Sequence, residues 1–347
     1  MTTLPAPEQT LMYREARDSG ERIATQLGAN EAVVSRLAQE LRRDPPRFIV
    51  TGARGSSDHA ATFAKYVFET QLGYATSSAS PSVSSVYAAP QKLGGALYLA
   101  ISQSGQSPDL VRQARAARDA GARVVALVNA PDSPLGDIAA TLIPLHAGAE
   151  NSVAATKSYL CSLSAIVHIA ALWKEDDALL AALRSVPATI SRTWDLDWSP
   201  LVSGLTGARN LFVVARGLGL AVAQEAALKL KETCGLHAEA FSAAEVKHGP
   251  MALVDADFPV LFFTQGDDTT AGTLAVADEF RQRGAHVWTA SATDTGAGTL
   301  AVAPIGHPVC APLVAIAGFY RAANALALRR DRNPDLPPHL RKVTETV

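Results

Sequence analysis

Short apolar runs alternate with longer amphipathic stretches along most of this chain. Four apolar runs of strand length lie in its first half, at residues 47–52, 95–102, 122–129 and 141–146. Helical spacing of apolar residues marks the stretches between them, and each stretch ends at a glycine: 58–73 and 107–121. Strands that alternate with helices in this way predict a parallel sheet with helices on both faces.

The second half of the chain repeats the pattern. Predicted strands begin at Asn210, Phe258 and His286, and predicted helices occupy 220–234 and 270–286. We therefore predict an α/β protein of two similar domains in tandem, each a parallel sheet flanked by helices. The predicted limits are a helical lead-in at 1–45, a first domain at 46–186, a hinge over 185–200, a second domain at 200–336 and a closing C-terminal tail at 337–347.

Composition and charge narrow the range of functions. Apolar residues make up 48% of the 347 residues and charged residues 18%, which favours two folded cores over disorder. The net charge is −2 without a basic block, so nucleic-acid binding is not expected. No secretion signal is expected, because the N-terminal residues 1–27 contain no apolar segment of the required kind. No membrane span is expected either, because residues 301–320 are interrupted by prolines and predict a loop followed by a core helix. The simplest expectation is a cytoplasmic protein.

The cysteines point to neither a disulfide framework nor a metal site. Cys161, Cys234 and Cys310 are isolated and form no CxxC pair. We expect no metal ion and no organic cofactor.

Serine-rich segments follow two predicted strands of the first domain. In an open α/β sheet, ligands bind at the carboxyl ends of the strands, next to helix N-termini. The candidate phosphate ligands there are Ser56, Ser57, Ser102, Gln103, Ser104 and Ser107. Helix capping would explain any one of these serines, but not three serines and a glutamine around Gly105. Because the chain has neither a P-loop nor a GxGxxG fingerprint, the sequence favours a small phosphorylated metabolite over a nucleotide.

The predicted helix 220–234 carries charges on one face. Glu225, Lys229 and Glu232 are spaced i, i+4 and i+7, and Gly235 is placed to end the helix. The polar loop predicted after it adds four titratable side chains: Glu239, Glu245, Lys247 and His248. Two interpretations are open, a solvated face with an ordinary ion pair or a set of groups for proton transfer on a carbon skeleton.

Five segments together resemble the sugar isomerase (SIS) domains of glutamine–fructose-6-phosphate aminotransferase, from about residue 10 to the C-terminus. They are RGSSDHA at 54–60, SQSGQS at 102–107, NSVAATKS at 151–158, the segment 225–254 and LPPHLRKVTETV at 336–347. The resemblance implies two flavodoxin-like SIS domains, a homodimer and aldose–ketose isomerisation of a hexose 6-phosphate. It also implies phosphate binding by the serines and glutamine named above, and sugar contacts through the backbone of Val153 and Ala154.

The same resemblance implies catalytic roles. Glu232 takes the position of the base that moves a proton between carbons 1 and 2 of the sugar. Lys229 matches the lysine that stabilises the charge on the enediolamine oxygen. His248 matches the histidine that opens the sugar ring, donated from the partner subunit. Lys342 matches the tail lysine that lies by the sugar and can form a Schiff base with the open-chain ketose.

The chain also departs from the family pattern. The aminotransferase begins with a glutaminase domain whose nucleophile is an N-terminal cysteine, whereas this chain begins with Met-Thr-Thr and its first cysteine is Cys161. We therefore expect no glutamine hydrolysis. Ser152 and Ala155 differ from the family's Gly-Val-Ala-Ser-Thr-Lys run, and Asp58 replaces an aromatic residue. These differences leave the sugar epimer and its substituent open.

The leading hypothesis is a deaminase that converts glucosamine 6-phosphate and water to fructose 6-phosphate and ammonia. Three alternatives remain open: an enzyme for galactosamine- or fructosamine-type 6-phosphates, a synthase supplied with ammonia by other means, and a non-catalytic sugar-phosphate sensor. Four acid–base residues together favour an enzyme over the sensor. A DNA-binding regulator is not expected, because no basic helix-turn-helix pattern precedes the first domain.

Overall fold

The computed structural model describes residues 4–340 and 342. Its helices are α1 Leu11–Arg17, α2 Ser19–Arg43, α3 Ser56–Val67, α4 Pro81–Ser85, α5 Pro108–Asp119, α6 Pro134–Ile138, α7 Lys157–Lys174, α8 Asp177–Trp194, α9 Ser199–Leu205, α10 Leu220–Cys234, α11 Thr270–Gln282 and α12 Ala311–Arg329. Its strands are β1 Phe48–Gly52, β2 Thr76–Ser78, β3 Ala96–Ser102, β4 Arg123–Val128, β5 Thr141–Pro144, β6 Asn210–Ala215, β7 His237–Ser242, β8 Pro259–Phe263, β9 His286–Ser291 and β10 Thr299–Ala301.

The chain divides into two compact units, and neither is a single stretch of sequence. The first-sheet unit contains Glu21–Glu150, Lys157–Arg184 and Lys342. The second-sheet unit contains the described residues up to Gly20, the short segment Asn151–Thr156 and the long segment Ser185–Leu340.

Each unit contains one parallel five-stranded sheet. The strand orders are β2-β1-β3-β4-β5 and β7-β6-β8-β9-β10. Counted within its own sheet, each order is 2-1-3-4-5, which is the flavodoxin-like order. The predicted fold of two tandem flavodoxin-like domains with N-terminal helices is confirmed. In such sheets ligands bind where the strand order reverses, which is between β1 and β3 in one unit and between β6 and β8 in the other.

Burial explains why the interior strands form. All seven residues of β3 are buried, as expected for a parallel strand covered on both faces. Strands β1 and β3 pair in register from Phe48 opposite Ala96 to Gly52 opposite Ala100. Their carboxyl ends therefore lie at the same edge of the sheet.

Two predicted segments have a different structure. Residues 237–242, predicted within a loop, form strand β7 and pair with β6. The predicted hinge is largely helical, because α8 continues to Trp194 with Pro187 inside it. Val186, Ile190 and Trp194 are buried at helical spacing. Burial of this apolar face compensates for the backbone hydrogen bond that the proline cannot make.

Within residues 4–340 and 342, one helical segment, Pro308–Arg329, is long and apolar enough to cross a membrane by length and composition alone. Its most apolar window is 83% buried inside the protein. A core helix of a globular domain has the same properties, so this is weak support for a membrane span. The predicted loop followed by a core helix at 301–320 is confirmed.

Candidate active site

The serine-rich segments lie at the carboxyl ends of β1 and β3. We call their six polar residues the serine cradle: Ser56, Ser57, Ser102, Gln103, Ser104 and Ser107. Ser56 and Ser57 occupy the first turn of α3, and Ser102 is the buried last residue of β3. The other three residues lie half-buried between β3 and α5. The first-sheet unit thus presents hydroxyl groups from two adjacent helix starts.

Hydrogen bonds close the loop after β3. The Ser102 hydroxyl accepts the N–H of Gly105 at 2.9 Å, and the Ser104 hydroxyl accepts the N–H of Gln106 at 3.3 Å. Ser107 is the N-cap residue of α5, yet its side chain makes no capping hydrogen bond. Helix capping therefore does not account for Ser107.

An ion pair joins the two segments of the cradle. Nε and Nη2 of Arg54 donate to Oδ2 of Asp109 at 2.9 and 2.7 Å. The Asp109 side chain is fully buried, whereas that of Arg54 is half exposed. Burial raises the pKa of the neighbouring Asp58 above its ordinary value, with the charges of His59 and Arg54 opposing the rise. The sequence did not predict the Arg54–Asp109 pair.

At two glycines of the cradle region, the backbone lies too close to a neighbouring side chain for a Cβ atom to fit. Gly105 has a φ of +65°, and a Cβ at this position would lie 2.2 Å from the Ser133 hydroxyl. A Cβ on Gly52 would lie 1.9 Å from the hydroxyl of Tyr98, which donates to Gln113 at 2.7 Å. Larger residues would displace the cradle loops.

The charged face of α10 is buried. The side chains of Glu225 and Lys229 are 0% and 1% exposed, and that of Glu232 is 21% exposed. Nζ of Lys229 lies 2.5 Å from Oε2 of Glu232 and 3.5 Å from Oε1 of Glu225. The solvated-face interpretation is therefore wrong. One ammonium group lies between two carboxylates, of which only Glu232 reaches solvent, so Glu232 is the group that could exchange a proton with a ligand.

The C-terminal part of the second-sheet unit supports this helix. The Tyr320 hydroxyl of α12 donates to Oε1 of Glu225 at 3.1 Å. Gly235 ends α10 in the left-handed region, as predicted. A Cβ there would lie 2.2 Å from Cζ of Arg332. Nε of Arg330 donates to the carbonyl of Cys234 at 2.9 Å. Contacts at Glu225 and at Cys234 thus hold α10 on both sides of Glu232 along the helix.

His248 lies on an exposed turn, Glu245–His248, after β7. The Lys247 side chain donates to Oε2 of Glu279 on α11 at 2.8 Å, which fixes the turn. Glu239 is exposed on β7, and Glu245 is exposed at the start of the turn. His248 is therefore presented to solvent, whereas Lys247 is engaged in an ion pair with Glu279.

The segment Asn151–Thr156 carries Val153 and Ala154. Ala154 is fully buried and Val153 is half-buried. The N–H of Val153 donates to the carbonyl of Asp335 across a long 3.5 Å. A sugar contact through the backbone of Val153 would therefore use its carbonyl group.

Lys342 of the first-sheet unit lies near a buried carboxylate. Its Nζ is 3.8 Å from Oε2 of Glu150, whose side chain is fully buried. The Ser158 hydroxyl also donates to this carboxylate, at 2.5 Å. Glu150 was not among the predicted site residues, although it directly precedes the NSVAATKS segment. The rest of the predicted closing tail, residues 341 and 343–347, lies outside the described residues.

Among the described residues, no cysteine is exposed and no cluster of metal-ligand side chains is present. All three cysteines are free and buried, and burial raises the pKa of Cys234 to about 11 and that of Cys310 to about 12. Within residues 4–340 and 342, no group of three or more His, Cys, Asp or Glu side chains is arranged to hold a metal ion.

Sequence comparison relates the chain to sugar isomerase proteins. The SIS domain family matches residues 44–172 and 204–305. The glutamine–fructose-6-phosphate aminotransferase of Gloeobacter violaceus is 30% identical over 329 residues, which cover 88% of this chain and 53% of that protein. The chain spans about half the length of the curated relatives that it matches.

Solved structures agree with this relation. A candidate phosphosugar isomerase from Silicibacter pomeroyi has a TM-score of 0.89 at 42% identity, covering 94% of this chain and all of the other. The C-terminal domain of glucosamine-fructose-6-phosphate aminotransferase from Francisella tularensis has a TM-score of 0.84 at 25% identity, covering 95% of this chain and 98% of that domain.

Proposed function

The chain belongs to the SIS domain family, and from this premise we propose that it is a deaminase of amino-hexose 6-phosphates. The proposed reaction converts glucosamine 6-phosphate and water to fructose 6-phosphate and ammonia. One observation carries the proposal: a buried lysine on α10 holds a partly exposed carboxylate, Glu232, at 2.5 Å. A pair of this kind suits transfer of a proton between neighbouring carbons of a sugar.

The proposed mechanism needs only groups of the protein and one water molecule. His248 assists opening of the sugar ring, which produces an aldehyde at carbon 1. The aldehyde acidifies the proton on carbon 2, which Glu232 removes while Lys229 stabilises the negative charge that develops on the oxygen. Glu232 then returns the proton to carbon 1, which leaves an imine at carbon 2. Water adds to this imine and ammonia leaves, giving the ketose.

The serine cradle is proposed to bind the 6-phosphate. Its hydroxyl groups lie at the switch point of the first sheet, where ligands of this fold bind. Ser107 supports this role, because its hydroxyl makes no capping hydrogen bond to the helix that it precedes. The proposed sugar contacts are the backbone groups of Val153 and Ala154, and Lys342 is proposed to lie beside the sugar.

A homodimer is part of the proposal. His248 is exposed on its own chain, which suits the proposed action on a substrate bound by the partner subunit.

We retain 46–186 and 200–336 as proposed domain limits, with a lead-in at 1–45 and a closing tail at 337–347. The free cysteines support the proposed cytoplasmic location, because disulfides are rare in that compartment.

A substrate panel tests the proposed function. The protein is assayed with glucosamine, galactosamine and fructosamine 6-phosphates, and both ammonia and ketose phosphate are measured. We expect glucosamine 6-phosphate to give both products in equal amounts. Ammonia from another member of the panel would change the substrate assignment. Products from none of them would favour the sugar-phosphate sensor.

The variant Gly105→Ala tests the cradle. The added methyl group would collide with Ser133, which lies 2.2 Å from the ideal Cβ. We expect the Kd for fructose 6-phosphate, measured by calorimetry, to rise about tenfold or more, equal to about 1.4 kcal/mol. Gly73→Ala is the matched control, because Gly73 also has a positive φ, +76°, but open space around it. Equal affinity of the two variants would contradict phosphate binding by this loop.

A further inference from the structure

The segment that carries the proposed sugar contacts is anchored by residues distant in sequence. Asn151–Thr156 belongs to the second-sheet unit, together with helix α1 and the C-terminal residues up to Leu340. Two acidic residues of these terminal parts, Glu15 and Asp335, bind the segment. Both lie outside the residues that match the SIS domain family.

Glu15 of α1 binds the start of the segment. Its Oε1 accepts the N–H of Asn151 at 2.5 Å, and its Oε2 accepts the N–H of Ser152 at 3.2 Å. Glu15 is only 7% exposed. Hydrogen bonds from backbone N–H groups to a carboxylate are charge-assisted and therefore stronger than those between neutral groups. Glu15 therefore fixes the backbone immediately before Val153.

Helix α1 is itself fixed at its first turn. The two carboxylate oxygens of Asp335 accept the N–H groups of Leu11 and Met12 at 2.7 and 2.8 Å. The carbonyl of the same residue accepts the N–H of Val153 at 3.5 Å. Asp335 thus contacts both the helix that carries Glu15 and the segment that Glu15 holds.

We propose that Glu15 is a positioning residue for sugar binding, which holds the backbone of residues 151–154 in the conformation that contacts the sugar. The inference rests on the proposed function, because the sugar contacts of Val153 and Ala154 are part of that proposal. Contacts from a fixed backbone segment stabilise the bound substrate and the transition state alike. Loss of the anchor should therefore weaken binding and leave the chemical step nearly unchanged.

The variant Glu15→Gln tests this role with little change in side-chain volume. It places an amide NH₂ group opposite one of the two backbone N–H groups, so one buried donor loses its acceptor. We expect the Kd for fructose 6-phosphate and the KM for glucosamine 6-phosphate to rise about tenfold, with kcat within about threefold of the wild type. Amide hydrogen exchange at Asn151 and Ser152 should become faster.

Thr10→Val is the control for a purely structural effect on α1. The Thr10 hydroxyl donates to Oδ1 of Asn324 at 2.7 Å and accepts the N–H of Tyr13 at 3.2 Å. Neither contact involves residues 151–154. We expect this variant to lower the melting temperature without changing either the Kd or the exchange at Asn151.

The outcomes separate this inference from the proposed function. If the wild-type protein binds fructose 6-phosphate and Glu15→Gln binds it equally well, the inference is wrong, whatever the exchange rates show. An equal loss of affinity in Thr10→Val would also overturn it, because the effect would then be structural. If the wild-type protein neither binds fructose 6-phosphate nor acts on glucosamine 6-phosphate, the proposed function fails first and the inference falls with it.

Discussion

Replacement of Glu232 by Gln should reduce kcat for ammonia release from glucosamine 6-phosphate by roughly 10²–10⁴-fold, the usual contribution of a positioned proton-transfer group. The amide keeps the size of the side chain but cannot accept the proton of carbon 2. Because the interaction is made only during proton transfer, kcat and kcat/KM should fall together. Lys229 retains Glu225 as an ionic partner at 3.5 Å, so the variant should remain folded.

Two measurements make the Glu232→Gln result specific. Affinity for fructose 6-phosphate should stay close to that of the wild type, because the cradle residues are unchanged. The control Asp278→Asn alters an exposed carboxylate that pairs with Arg281 at 2.7 Å, and it should retain full activity. Undiminished turnover in Glu232→Gln would remove this residue from the mechanism.

Replacement of Lys229 by Met should have the largest effect on stability. The change removes the ammonium group between Glu225 and Glu232, and the side chain of Glu225 is fully buried. Removal of one partner of a buried ion pair costs about 3–5 kcal/mol. We expect the melting temperature, measured by calorimetry, to fall by about 6–20 °C, given about 2–4 °C for each kcal/mol in domains of this size.

A second substitution separates stability from catalysis at Lys229. Glu225→Gln combined with Lys229→Met removes the buried carboxylate as well as its cation, and the glutamine can still accept the hydrogen bond from Tyr320. We expect most of the lost stability to return while ammonia release stays at least about 10²-fold below the wild type. A Lys229→Met protein that melts with the wild type would contradict the buried ion pair.

The strands that could be predicted are those with strong apolar patterns. Interior strands such as β3 and β4 are covered on both faces, so their sequences are almost continuously apolar. The strands β2, β7 and β10 were missed, and all three lie at sheet edges. Edge strands pair on one side only, and these three are short or rich in small and polar residues. Their strand structure depends on the neighbouring strand more than on their own sequence.

The residue types of the site could be predicted from the sequence, but the burial of these residues and their contacts with distant parts of the chain could not. The spacing of Lys229 and Glu232 places them on one helical face, whatever covers that face. Their burial depends on α12, which begins about 80 residues later in the chain. The Arg54–Asp109 pair joins residues 55 positions apart, and Glu15 binds Ser152 across 137 positions. Contacts between such distant residues leave no local pattern in a single sequence.

Removal of the proton from carbon 2 of the sugar by Glu232 can be followed by nuclear magnetic resonance with glucosamine 6-phosphate that carries deuterium at carbon 2. We expect the wild-type protein to remove the deuterium from carbon 2 as ammonia forms, and to release ammonia more slowly than from the unlabelled sugar. Glu232→Gln should leave the label in place. Loss of the label at the wild-type rate in Glu232→Gln, or release of ammonia with the label retained at carbon 2, would contradict proton removal by Glu232.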